Sequence, residues 1–238
     1  MARTDFIGVV CGLKSEASAV KFACDTERLK VGVTGANARK AERIATQFCE
    51  DGAVAILSIG VSGGLDPGLR PGDLLYSDKV VCIGPDGAPE LLGGASPLSN
   101  ALQETDLIAG LIYGSDGIIA DIAEKERLFR EHAAIAVDME SHGAAQAASA
   151  HGVPFIAIRA IADPAERTLP KAALGAVKED GSTDVLRVLT TVVKNLPSAP
   201  SQLAALGKLG VDARAADQRM RLALGPILRS LLLRLDLG

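Results

Sequence analysis

Apolar runs of strand length alternate with stretches of helical period along most of the chain. Phe6 to Leu13 is an unbroken apolar run of the kind buried on both faces of a parallel sheet. It ends in a glycine-containing turn and Lys14-Ser15-Glu16, so Glu16 stands at the strand's C-terminal edge, either as a solvated first-turn carboxylate or as a site residue. Leu29 to Thr34 predicts a second strand, which Gly35-Ala36-Asn37 turns into an amphipathic helix with Asn37 as N-cap and Ile44, Ala45 and Phe48 on its apolar face. Val54 to Ile59 predicts a third strand opening into a glycine-rich loop, Gly60 to Pro67, where either backbone N–H groups approach a ligand or a plain turn forms. Gly72 to Val81 predicts a strand pair or one bent strand, and Cys82 to Ala95 a loop. Pro97 to Glu104 starts a helix. Ile108 to Tyr113 predicts a strand, Gly114 to Gly117 a loop at its end, and Ile122 to His132 a helix.

The stretch from Ala134 to Glu166 concentrates the chemistry. One apolar run ends in Asp138-Met139-Glu140, a small-residue helix follows from about Ser141 to Ala150, and a second run, Val153 to Ile158, leads into Arg159-Ala160-Ile161-Ala162-Asp163. Acids placed where strands give out lie where open α/β sheets bind ligands. Pro164 to Asp180 has no period and reads as a flap. Ser182 or Thr183 caps a predicted helix with Val185, Leu189, Val192, Val193 and Leu196 on one side, and Pro197 and Pro200 mark a break. Residues 197–238 form a Leu/Ala/Arg-rich amphipathic tail with Arg214, Arg219, Arg221, Arg229 and Arg234 among leucines. Such a helix either packs on its own domain or a sister subunit, or lies on a membrane surface.

Strands and helices alternate, so the class is α/β with a parallel or mixed sheet. At 238 residues one large domain is sufficient. Aromatics make up 3% with no Trp, so the core is aliphatic. A net charge of -4 and a pI near 5.5 argue against a nucleic-acid partner. The four cysteines show neither a CxxC nor a framework spacing, and read as reduced cytosolic thiols. Phe6 to Leu13 is too short for a signal-peptide core or a membrane span, and the expected location is cytoplasmic.

There is no Gly-x-Gly-x-x-Gly, no P-loop and no nucleophile elbow. His132, His142 and His151 have no metal-ligand spacing, and no cofactor or metal is expected. What remains is acids: Glu16, Glu140 and Asp163. Carboxylates so placed suit glycosidic cleavage, one protonating the leaving group and another activating water, past an oxocarbenium-like transition state.

Five pieces, in order, carry a resemblance: Ile7-Gly8-Val9-Val10 with Glu16; the turn from Gly32 to Asn37; Ser62-Gly63-Gly64-Leu65 with Gly72-Asp73; Val137-Asp138-Met139-Glu140; and Val153-Pro154-Phe155 with Arg159 to Asp163. Over residues 5 to 196 the chain resembles the nucleoside phosphorylase superfamily, and within it the methylthioadenosine/S-adenosylhomocysteine nucleosidases. The resemblance implies a single domain on a mixed, barrel-like central sheet flanked by helices, usually at least a homodimer, and an enzyme that releases adenine from a 5′-substituted adenosine. It implies that Asp163 is the acid at the purine N7. Glu140 binds the ribose hydroxyls with Met139 beneath the sugar, beside Asp138. Glu16 activates water, Ser62 and Gly63 line the nucleophile pocket, and the Ile119 backbone pairs with the base edge. Ile118 stands where the family often has an aromatic ring, and Ala162 where a Ser commonly steadies the acid. Phosphate-binding arginines have no counterpart near Gly12 or Gly60, which favours water over phosphate as nucleophile. With its tail the chain looks like the hopanoid-associated phosphorylases, implying adenosylhopane as substrate and peripheral membrane contact. The alternatives are a methylthioadenosine/S-adenosylhomocysteine nucleosidase and a non-catalytic nucleoside-binding protein.

Overall fold

A computed structural model describes residues 5–24, 26–94, 96–169, 180–182 and 199–235. The expected flap (largely) and the helix capped by Ser182 or Thr183 lie outside them. The described residues form one ten-stranded mixed sheet with helices on both faces.

The sheet is organised around β3, Ala53–Gly64, which has three partners. Its first half lies between β1 (Phe6–Cys11) and β10 (Phe155–Asp163), both parallel to it, and β1 carries β2 (Leu29–Val33) on its far side. At Gly63 and Gly64 the same strand crosses to β9 (Ala134–Asp138), antiparallel. From there a second arm runs through β8 (Leu111–Gly114) and β5 (Lys79–Ile83) to β6 (Pro89–Gly93), while β10 continues the first arm through β4 (Leu74–Ser77) to β7 (Ile108–Ala109). The ends of β1, β9 and β10 therefore converge on the place where β3 changes partners.

Four predicted elements differ from those observed. The glycine-rich loop after Ile59 is strand as far as Gly64, because its backbone still pairs with Arg159 to Asp163 on β10. The predicted loop Cys82 to Ala95 contains the β5–β6 hairpin: its glycines make the turn, and Pro89 is the first residue of an edge strand, where a missing N–H costs little. The run Ile108 to Tyr113 is two strands, one on each arm. The helix expected from Pro97 is a single turn, α3 (Ser99–Leu102).

On one face α2 (Ala38–Glu50) packs against α5 (Ser141–Ala150) over an aliphatic cluster that includes Val10, Ile56 and Ile161. Asn37 caps α2 by accepting from Lys40 N–H at 2.9 Å. The small residues of α5 let the helices touch: a Cβ on Gly143 would lie 2.1 Å from the carbonyl oxygen of Ala38. On the other face lie α1 (Lys14–Ala23) and the last helix, α6 (Ala199–Leu235). From Ala216 onward α6 contributes Met220, Leu224, Ile227, Leu228 and Leu231 to the same buried cluster as Ile7, Val9 and Leu57. At roughly 1.5–3 kcal/mol for each large side chain removed from water, this burial ties the helix to the domain. The face of the tail that admitted a membrane reading is thus covered by its own sheet. Val211, Leu222 and Leu233 remain exposed on it. No described helix is long and apolar enough to cross a membrane. Between β8 and β9 runs α4 (Ile122–His132), capped by Asp121 accepting from Ala123 N–H.

Candidate active site

Glu16, Ser62, Gly63, Ile118, Ile119, Asp138, Met139, Glu140 and Asp163 all line one cavity of about 380 Å³ at the convergence of β1, β3, β9 and β10. They come from segments far apart in the chain, and the partner change of β3 is what brings them together.

Glu16 sits in the first turn of α1 and is buried rather than solvated. Its carboxylate accepts from Leu13 N–H at 2.8 Å and from Val61 N–H at 2.9 Å. Burial pushes this carboxyl above its usual range, against those hydrogen bonds and the charge of Arg159. Two glycines make the room it occupies. A Cβ on Gly60 would lie 2.8 Å from Glu16 Oε1, and one on Gly12 would lie 2.6 Å from Glu140 Oε1 and 3.5 Å from Glu16 Oε2. Glu16 and Glu140 therefore flank the backbone of Gly12.

Beneath them is a buried ion network. Arg159 points inward from β10 at 1% exposure; its Nε donates to Asp138 Oδ2 at 2.5 Å, and its Nη2 to Ser58 Oγ at 2.6 Å and Ser141 Oγ at 2.9 Å. Asp138 Oδ1 accepts from the N–H groups of Glu140 and Ser141 at 3.0 and 2.8 Å. Asp138 lines the cavity with both oxygens engaged within the protein, where they brace Arg159 and the start of α5. Burial pushes its carboxyl up, but Arg159 and Ser141 outweigh burial and hold it below the usual range. Glu140 stands 3.7 Å from Arg159 Nη2. Burial first, and then the Asp138 charge, push its carboxyl up to about 8 despite Arg159.

Asp163 closes the other end, as the last residue of β10 beside Gly63. Lys125, from α4, donates to its Oδ2. Oδ1 is buried, with no hydrogen-bond partner among the described residues, as is Ser62 Oγ. Burial pushes this carboxyl above its usual range, against the pull of the Lys125 ammonium. Contacts with Gly60 and Val61 mark the place of Glu16, and pairing with Gly63 marks that of Asp163. Three residues of strand, roughly 10 Å, separate them.

The sequence reading passed over four residues. Arg159 carries a visible signal, a lone cation inside a nine-residue buried strand. Lys125 carries a weaker one, a lysine three positions before the buried Leu128 on the inner face of α4. Leu169 and Leu209, which also line the cavity, carry none, since only the packing of α6 brings Leu209 there. Among the described residues no cluster of His, Cys, Asp and Glu could hold a metal. His142 pairs instead with Asp116 at 3.2 Å.

Residues 26–194 match the family described as the Phosphorylase superfamily. A 5′-methylthioadenosine/S-adenosylhomocysteine nucleosidase of Staphylococcus aureus is 30% identical over 127 residues, 45% of this chain and 56% of that protein. The match thus spans little more than half the length of such curated relatives. Among solved structures, the S-adenosylhomocysteine nucleosidase of Streptococcus pyogenes in complex with 5-methylthiotubericidin aligns with a TM-score of 0.66 at 18% identity, covering 98% of both chains. The 5′-methylthioadenosine/S-adenosylhomocysteine nucleosidase of Helicobacter pylori gives 0.65 at 17% identity over 96% of this chain and 97% of that one. The futalosine hydrolase of the same organism gives 0.57 at 19% identity over 67% and 88%. At such identities these structures establish the fold.

Proposed function

The chain belongs to the phosphorylase superfamily, and from that premise we propose that it cleaves the N-glycosidic bond of a 5′-substituted adenosine, releasing adenine, with water as nucleophile. The observation that carries this is the placement of the acids: Asp163, with one oxygen free, at one end of the cavity, and Glu16 and Glu140 together at the other. A nucleoside laid between them has its purine at Asp163 and its ribose at Glu140. Asp163 protonates the leaving purine, Glu140 and Met139 hold the sugar, and Glu16 takes the proton of the attacking water. Positive charge developing on the ribose favours the ionised form of the buried Glu16 and Glu140 carboxyls and offsets the cost of burying that charge.

Water is favoured by charge. Among the described residues lining the cavity there is no lysine or arginine, and the buried Arg159 is engaged by Asp138, Ser58 and Ser141. A phosphate dianion beside Glu16 and Glu140 would meet two acids and, among the described residues, no free cation.

For the 5′ substituent we assign a large apolar group, with adenosylhopane as the case implied by the tail's resemblance. Leu13, Ala36, Leu169 and Leu209 give the cavity an aliphatic lining that suits it, and Leu209 comes from that tail. The second reading is hydrolysis of methylthioadenosine or S-adenosylhomocysteine, supported by the staphylococcal relative named for both.

Adenine release from methylthioadenosine, S-adenosylhomocysteine, adenosine and a 5′-alkyl adenosine, with and without phosphate, tests these readings. Release from the alkylated nucleoside alone supports the lipid-linked substrate, and release from the small nucleosides supports the second reading. A phosphate requirement overturns the choice of water. Nucleoside binding without release from any of them makes the chain a binding protein.

A further inference from the structure

Lys125 is among the largest fully buried side chains of the protein. An ammonium so deep needs an acceptor for each of its three protons, and it has three: Asp163 Oδ2, the Pro164 carbonyl at 3.0 Å and the Arg167 carbonyl at 2.9 Å. All three belong to the end of β10 and the turn after it, so a side chain of α4 pins that turn. The two remaining charged groups near Asp163 are Arg167, on the turn, and Asp212, on α6; they pair with each other at 2.5 Å. With Oδ2 held by Lys125, Oδ1 is left as the oxygen without a partner among the described residues.

Resting on the reading of Asp163 as the acid, we propose that Lys125 is the positioning residue of the acid step, directing Oδ1 into the cavity and neutralising the carboxylate formed when Oδ1 gives its proton to the purine. The atoms balance within the site. The electron pair of the breaking C–N bond goes to the purine, the Oδ1 proton goes to a purine nitrogen, and the new carboxylate is left paired with an ammonium that was present throughout. Solvent returns the proton once the base has left. A lysine that merely filled space would not touch the acidity of Asp163. This one lowers it against the push of burial, making a stronger acid of a carboxyl that must still be protonated to act.

The test is the pH dependence of kcat for K125Q, which keeps an uncharged amide donor, on two substrates: a purine nucleoside the wild type cleaves, and 4-nitrophenyl riboside, whose leaving group needs no proton. Removing the cation raises the Asp163 pKa, so the alkaline limb of kcat on the nucleoside should move up by about 1–3 pH units. Its plateau should fall about tenfold or more, with the nitrophenyl substrate within about threefold of wild type. Glu16 and Glu140 titrate in the same cavity but keep their neighbours in the variant, so the displacement of the limb reports on Asp163. An unmoved limb, or equal losses on both substrates, overturns the proposal. Should K125Q lack a cooperative melt, K125R decides: it keeps the charge and should keep the wild-type limb, and a limb displaced upward overturns the proposal. A wild type that releases no base from any nucleoside overturns the functional reading and this inference with it, whereas an active wild type matched by K125Q overturns this inference alone.

Discussion

Glu140 pits function against stability in a way that can be measured. Its carboxyl is held at about 8 in the folded chain, from an ordinary 4.5, first by burial and then by the charge of Asp138. The folded state therefore keeps a proton that the unfolded chain has released, over the whole interval between those values. Because this folded pKa is raised, the sign is opposite to that of a salt-bridged acid: stability is greatest below about pH 4.5 and is lost as pH rises toward 8. At about 1.4 kcal/mol per pH unit the loss has a ceiling of roughly 5 kcal/mol, and water reaching the open cavity lowers the expected value to about 2–3 kcal/mol. E140Q has nearly the same shape and does not titrate. Urea unfolding of wild type and E140Q at pH 5 and pH 8, followed by far-UV circular dichroism, isolates the effect, since other titrating groups largely cancel in the difference. E140Q should gain about 2–3 kcal/mol on wild type between the two pH values while losing turnover. A stability difference unchanged within about 0.5 kcal/mol would refute the claim that Glu140 is held protonated by its surroundings.

Other consequences of the site can be read from single substitutions. D163N should cut adenine release by about 100-fold or more and leave nucleoside binding within a few-fold, read by isothermal titration calorimetry beside the turnover assay. G60A places a methyl 2.8 Å from Glu16 Oε1. The displaced carboxylate should lower kcat about 100-fold with little change in KM, and an unaltered kcat would show that Glu16 does not work from its present position. R159M leaves Asp138 buried without its cation and should cost about 3–5 kcal/mol in urea unfolding. D212N removes the charge that pairs with Arg167, both side chains less than one-fifth exposed. It should lower the melting temperature by a few degrees and alter kcat only several-fold, since it loosens the turn that carries Asp163 without touching the acid.

The chemistry was legible where it sat on regular periodicity, and lost where it depended on how strands cross. Glu16, Glu140 and Asp163 each follow an apolar run, and that placement alone marks them as residues at the C-terminal end of a sheet. Their convergence is not written in any local pattern. It arises because β3 changes partners at Gly63, and the glycines that permit this read in the sequence as a loop. A run of small residues fits two structures equally well, an exposed turn or a strand with buried carboxylates pressed against its backbone, and only the neighbours decide between them. The same ambiguity attends the cations. Arg159 and Lys125 sit at core positions of a strand and a helix, where sequence pattern records a break in periodicity but not its cause. In the fold each is matched to an acid, Arg159 to Asp138 and Lys125 to Asp163. The two acids left without a cation of their own at hydrogen-bonding distance are Glu16 and Glu140, and both are held above their usual range. Four carboxyls, indistinguishable as letters, thus acquire different surroundings: Arg159 and Ser141 hold Asp138 below its usual range, burial raises Asp163 against the pull of an ammonium, and burial raises the pair around Gly12. That division suits the glycosidic cleavage proposed for this cavity, and it depends on two cations whose sequence positions look like errors in the apolar pattern.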